Sequence, residues 1–150
     1  MDDNNEMNGG IEHELVPGGH IFRCTLPVDN LATGKPCTLK QIFFMYCGSG
    51  PTKWVLEMIF QKAPHAESVP CSFTLKRDEW RGLSLNIIIE MCFTYIKHRE
   101  LTRTVHFLVE NLTDNEIQRS IADILPYSQR MDLNQGVLVG IEISILHCNL

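Results

Sequence analysis

The sequence has no Cys-x-x-Cys pair, no apolar run as long as a membrane span and no surplus of positive charge, and each absence removes a class of function. Ile87, Ile88 and Ile89 are followed at once by Glu90, whereas a spanning helix needs roughly 18 or more apolar residues in succession. Without paired-cysteine knuckles, Cys24, Cys37, Cys47, Cys71, Cys92 and Cys148 do not outline a zinc finger. With 13 Lys and Arg against 18 Asp and Glu the formal net charge is −5, so contact with nucleic acid or anionic lipid would need a local basic patch. The first ten residues have neither a basic start nor an apolar core, so no secretory or transit signal is expected and the cytosol is the expected site of synthesis. In that compartment the cysteines are expected to be reduced thiols, buried as small hydrophobes. The sequon Asn111-Leu112-Thr113 is then expected to stay unglycosylated.

What is present is an ordinary globular composition. The 150 residues are 44% hydrophobic and 21% charged, enough for one core without disulfide or metal staples. Residues 1–13 hold two glycines and many acidic or amide side chains and read as a disordered acidic tail, leaving 14–150 as a single domain. Val16-Pro17-Gly18-Gly19 carries turn chemistry.

Beyond that turn, alternation dominates. Phe22, Cys24, Leu26 and Val28 alternate with Arg23, Thr25 and Pro27, a half-buried strand with an edge-type proline. Thr38 to Cys47 is aromatic-rich strand material, and Trp54, Leu56, Met58 and Phe60 share one face of the next strand. Cys71, Phe73 and Leu75 oppose Ser72, Thr74 and Lys76. Leu83 to Ile96 fits both periods, and its β-branched and aromatic residues favour a strand. Thr104 to Glu110 and Gly136 to Leu146 complete the set.

One helix is expected between the last two strands. Thr113-Asp114-Asn115-Glu116 has capping-box spacing, with Leu112 and Ile117 placed as a hydrophobic staple. Ile117, Ile121, Ile124 and Leu125 then follow at i, i+4, i+7 and i+8, and Pro126 ends the run. The expected fold is therefore α+β: a strand-rich antiparallel sheet or sandwich with one helix at about 114–125 packed on it.

Candidate chemistry is sparse. His13-Glu14 lacks the second histidine of a zinc-protease helix, because Pro17 stands in its place. Gly48 to Lys53 has no glycine before its lysine, and Gly34-Lys35 runs into Pro36, so neither is a phosphate loop. His20, Cys24, His147 and Cys148 would meet if the first and last strands paired, but their spacing outlines no metal site. No nucleophile–base constellation emerges, so neither an enzymatic role nor a cofactor is expected. The basic groups are Lys76, Arg77 and Arg81, and Lys97, Arg99 and Arg103, all placed at strand ends or adjoining loops. Trp80 beside Arg77 and Arg81 could stack on a base or sit at a lipid interface, or it could belong to the core.

The order of these elements resembles the small matrix proteins of bornaviruses and related negative-strand RNA viruses. The resemblance lies in Leu15-Val16-Pro17-Gly18-Gly19 entering the first strand, the aromatic strand Leu39 to Tyr46, the strand Lys53 to Phe60 and the apolar segment Leu83 to Tyr95. Its most specific part is the passage His106 to Glu116, the helix after it, and Gly136-Val137-Leu138-Val139-Gly140. It implies a virion structural protein that self-assembles as a homo-oligomer, by family analogy a tetramer, beneath the envelope, acting in assembly and budding. It further implies peripheral contact with the inner membrane leaflet, binding to RNA or nucleocapsid, and partnership with a viral phosphoprotein or glycoprotein. The expected locations are the virion, the host cytoplasm and the inner face of the cell membrane. Lys76, Arg77, Arg81, Lys97, Arg99 and Arg103 are the expected RNA- or lipid-binding residues. The chain departs from that family in its acidity and in having no Pro-Pro-x-Tyr, Pro-Thr-Ala-Pro or myristoylation motif. From another class comes a cytosolic protein-interaction or immune-antagonist module, in which a sheet edge or exposed apolar strand face receives a partner strand.

Overall fold

A computed structural model describes residues 11–29, 31–47, 50–63, 66, 68–78, 85–100, 102–125 and 136–147. Among them are nine strands: β1 (Glu12–Val16), β2 (Gly19–Val28), β3 (Cys37–Cys47), β4 (Gly50–Phe60), β5 (Cys71–Arg77), β6 (Leu85–Tyr95), β7 (Thr102–Leu112), β8 (Glu116–Ile121) and β9 (Val137–His147). Every pairing is antiparallel, in a five-stranded sheet ordered β1-β2-β9-β6-β7 and a four-stranded sheet ordered β3-β4-β5-β8. A 3-10 turn, Leu31–Thr33, lies between β2 and β3. Among the described residues no helix is long and apolar enough to cross a membrane.

The two sheets face each other because nearly every strand carries apolar residues at alternate positions. β6 alternates buried Leu85, Ile87, Ile89, Met91, Phe93 and Tyr95 with less buried residues, and β9 answers with Val137, Val139, Ile141, Ile143 and Ile145. From the other sheet come Trp54, Leu56, Met58 and Phe60 of β4 and Phe73 and Leu75 of β5. Trp54, Phe60 and Phe93 are wholly enclosed, and burying side chains of this kind stabilises the fold by about 1.5–3 kcal/mol each before entropy is counted. Two tight features shape the first corner. Gly18, at φ 82, supplies the left-handed residue of the β1–β2 turn. Gly19 lies so close to β9 that a Cβ there would strike the Ile145 carbonyl oxygen.

The expected α+β class is corrected to all-β, and no helix occupies the described part of 114–125. Residues 114 and 115 form a bend, and Glu116–Ile121 is the edge strand β8, in register with β5 from Lys76↔Glu116 to Cys71↔Ile121. The physical reason is a degeneracy of spacing. Ile117 and Ile121 are both buried, and a separation of four returns to the same face in a helix and in a strand alike. Ile124 and Leu125 are buried beyond the strand's end. There the Asp123 carboxylate accepts hydrogen bonds from the Val69 and Leu125 backbone N–H groups at 3.0 and 3.1 Å. β1 begins at Glu12, inside the stretch read from sequence as tail; residues 1–10 of that tail lie outside the described residues. The ambiguous segment 83–96 is strand from Leu85 to Tyr95, with a bulge between Leu85 and Ile87.

Candidate interaction face

The six basic positions do not converge on one patch. Arg77 follows Leu75 in the alternation of β5 and therefore points into the sandwich, where it is 5% exposed. Its guanidinium lies over the fully buried Trp54 ring at 5.9 Å, and its Nη2 donates to the Leu112 carbonyl at 3.4 Å. Burial lowers the pKa of this group, while nearby Asp114 works in the opposite direction. Lys76 faces outward and is paired with Glu116 across the strand at 3.5 Å. Arg81 and Trp80 lie outside the described residues. Lys97 and Arg99 are exposed in the turn between β6 and β7, and Arg103 Nη1 donates to the Leu125 carbonyl at 3.4 Å.

Strand length separates the two groups. Arg77 touches the Leu112 end of β7, whereas Lys97 and Arg99 stand just before its Thr102 end. Ten residue steps at about 3.3 Å each put these ends ~33 Å apart, beyond the roughly 8 Å over which exposed charges act at physiological salt. A single basic surface is therefore not built within one copy of the described chain.

The cysteines also lack the setting of a nucleophile. Burial pushes the Cys24 thiol up to about 11 and the Cys71 thiol up to about 12, so both are protonated near neutral pH and inert as attackers. Burial, with Asp29 adding, raises Cys37 as well. β2 and β9 do pair, setting His20 opposite Ile145 and Cys24 opposite Ile141. Cys148 lies outside the described residues, and among the described residues no group of three or more histidines, cysteines or carboxylates is placed to hold a metal ion.

The feature that does stand out is an apolar outer face on an open edge. β3 ends the four-stranded sheet, and its outward positions carry Ile42, Phe44 and Tyr46, exposed by 36%, 47% and 67%. Val55, opposite Ile42, extends the stripe onto β4, where Ile59 is 38% exposed. Inward, β3 contributes buried Gln41, Phe43 and Met45, so the strand is apolar on both faces over most of its length. Lys40, opposite Glu57, is the charged residue on its outer side. Among the described residues no element covers this long edge of few charges, and such an edge is a ready template for another strand, while contiguous exposed apolar surface marks an interaction site. Sequence inspection identified this strand as aromatic but missed its exposure. The available signal was the unbroken Ile42-Phe43-Phe44-Met45-Tyr46, which alternation cannot hide on one side of a sheet.

The opposite outer face, by contrast, is largely polar. Glu12, Arg23, Glu142, Glu90 and His106 stand opposite one another across five strands. Arg23 bridges Glu14 and Glu142, both at 2.9 Å, and His106 lies 3.5 Å from Glu90. The exception is the cross-strand pair Ile88 and Leu108, 39% and 59% exposed. No protein-family model matches the sequence, and no characterised protein aligns with it significantly.

Proposed function

We propose that this chain is a protein-interaction module whose docking surface is the open edge and outer face of β3. The observation that carries the reading is the stripe Ile42, Phe44 and Tyr46 on an eleven-residue edge strand whose far side pairs with no other strand among the described residues. An extended peptide added there would gain main-chain hydrogen bonds along the edge, and its alternate side chains would lie on the aromatic stripe. Nothing in this role requires a reacting group, and the protonated thiols of Cys24 and Cys71 suit a scaffold.

A matrix-type assembly protein remains a second proposal, favoured by the same stripe acting between copies of the chain. Its lipid or RNA contact would rely on Lys97, Arg99 and Arg103 repeated around an axis. One set of measurements separates the two: peptide selection on the folded protein, light scattering, and liposome flotation at low and moderate salt. The module reading expects a monomer that selects apolar extended peptides, loses them in Phe44→Glu and ignores liposomes. Selected peptides that bind Phe44→Glu and the native protein equally well would refute the β3 docking surface. A salt-sensitive oligomer that floats with anionic vesicles would favour assembly.

A further inference from the structure

Lys40 is the one formally charged residue in the sequence of β3, Cys37-Thr38-Leu39-Lys40-Gln41-Ile42-Phe43-Phe44-Met45-Tyr46-Cys47. It shares the parity of Ile42, Phe44 and Tyr46, so it lies on the outer face at the end of their stripe, where it is exposed. Glu57 stands opposite it on β4, and among the described residues its ammonium has no ion-pair partner. On its other side lies the edge that no strand occupies among the described residues. The neighbouring lysines of this face lie further in and beside carboxylates. Lys53 of β4 donates its backbone N–H to Asp78 Oδ1 at 3.1 Å, and Lys76 of β5 is 3.5 Å from Glu116.

We infer, on the reading of β3 as a docking edge, that Lys40 is the specificity determinant of that edge and that its occupant is an extended acidic-apolar peptide, with a carboxylate opposite Lys40 and apolar side chains opposite Ile42 and Phe44. Main-chain hydrogen bonds along an edge are indifferent to sequence, so alternate side chains supply the selection. A slip of one residue turns the peptide's apolar side chains to the wrong face. A slip of two keeps them on the stripe, and Ile42, Phe44 and Tyr46 alone do not prevent it. Lys40 removes that freedom. Residues directly opposite on one face stand about 5 Å apart, where unlike charges attract and like charges repel.

The same charge argues against β3 of a second copy as the occupant. That strand has no Asp or Glu, so every register of two copies sets Lys40 against an uncharged residue or another lysine. The field of the whole molecule cannot supply a taste for acid either. With a net charge of −5 the chain repels acidic peptides at long range, so a preference for them reports the local lysine.

Fluorescence anisotropy with two labelled peptides tests this: Glu-Thr-Ile-Thr-Val-Thr-Ile-Thr-Glu, and the same sequence with lysine at both ends. Each reads alike in both directions, which makes strand polarity immaterial. The native protein is expected to bind the acidic peptide more tightly by roughly 2- to 30-fold, the swing between an unlike and a like cross-strand pair. Lys40→Glu, at an exposed position, should reverse the preference. In about 1 M salt, where the screening length is near 3 Å, the ratio should shrink toward one. Equal affinity for the two peptides, with both lost in Phe44→Glu, would overturn the role of Lys40 and leave the β3 surface standing. A preference for acid that Lys40→Glu leaves unchanged would overturn it too, as would a ratio undiminished by salt in the native protein, which needs no variant to fold. Binding of neither peptide, or binding that Phe44→Glu does not weaken, would overturn the β3 reading and this inference with it.

Discussion

Replacing Arg77 with alanine should unfold the protein more easily without touching a ligand site, and replacing it with methionine should do little. The side chain is 5% exposed and lies over Trp54. Truncation to alanine removes about three methylenes of packing, near 0.8 kcal/mol each, and a cation–π contact of roughly 1 kcal/mol. It also removes the long hydrogen bond to the Leu112 carbonyl, another ~1 kcal/mol. Against this stands relief of the cost of burying a guanidinium whose Nε has no hydrogen-bond partner among the described residues, of the order of 1–2 kcal/mol. The net for Arg77→Ala is a loss of about 2–3 kcal/mol, which at roughly 3 °C per kcal/mol for a chain of this size lowers Tm by ~6–9 °C. Arg77→Met keeps the stem and discards the charge, as in buried ion pairs replaced by apolar side chains of similar volume, and should stay within about 1 kcal/mol of the native protein. Urea titration followed by circular dichroism and tryptophan emission measures both. Equal losses for alanine and methionine would show that the charge itself stabilises the fold. An Arg77→Ala protein of native stability with weakened RNA or liposome binding would restore the surface role expected from sequence.

Four further outcomes can be checked. Alkaline pH should destabilise the fold through Cys24 and Cys71: their folded values, about 11 and about 12 from a reference of 9.0, are raised. Their contribution is thus intact below about pH 9 and falls by up to ~1.4 kcal/mol per pH unit per thiol above it. Urea midpoints at pH 8, 9 and 10 should show this slope, and it should be shallower in Cys71→Ala, with Cys24 and the raised Cys37 keeping the rest. Gln41 is 1% exposed with neither amide atom hydrogen-bonded among the described residues, so Gln41→Leu should raise stability by ~1–2 kcal/mol in the same assay; a loss of that size would reveal a partner for the amide. Gly19→Ala, whose Cβ would collide with Ile145, should cost ~1–3 kcal/mol by overpacking, read as a drop in Tm. Phe44→Glu, by contrast, alters a residue 47% exposed and should leave the urea midpoint within about 0.5 kcal/mol of native while abolishing binding of peptides selected on β3.

Most of the strands were legible because their inner faces are largely apolar, and a period of two is hard to counterfeit over eleven residues such as Leu85 to Tyr95. The helix was misread because Ile117 and Ile121 satisfy both periods and because Thr113 to Glu116 has the composition of a cap, a local preference that pairing with β5 overrode. Arg77 is a different kind of miss. The parity of Cys71, Phe73 and Leu75 already placed position 77 inside, but its charge drew attention to its chemistry instead of its phase. The approach of His13 Nε2 to within 2.8 Å of His20 Nδ1 across the β1–β2 turn could not be read without register, since Pro17-Gly18 predicts a turn but not which residues stand across it.

The pairing of β2 with β9 also sets how the molecule can come into being. Arg23 and Glu142 are partners 119 positions apart, and β9 sits between the β1–β2 hairpin and the β6–β7 hairpin. During synthesis the five-stranded sheet therefore exists as two halves with facing raw edges until its centre is made. Contacts so distant in sequence slow folding to the millisecond-to-second range typical of sandwiches, and the exposed edges of β2 and β6 are the surfaces on which a nascent chain would aggregate or need a chaperone. A chain halted before Val137 should hold the four-stranded sheet with two separate hairpins against it, the last strand being the one that joins those hairpins into a single sheet.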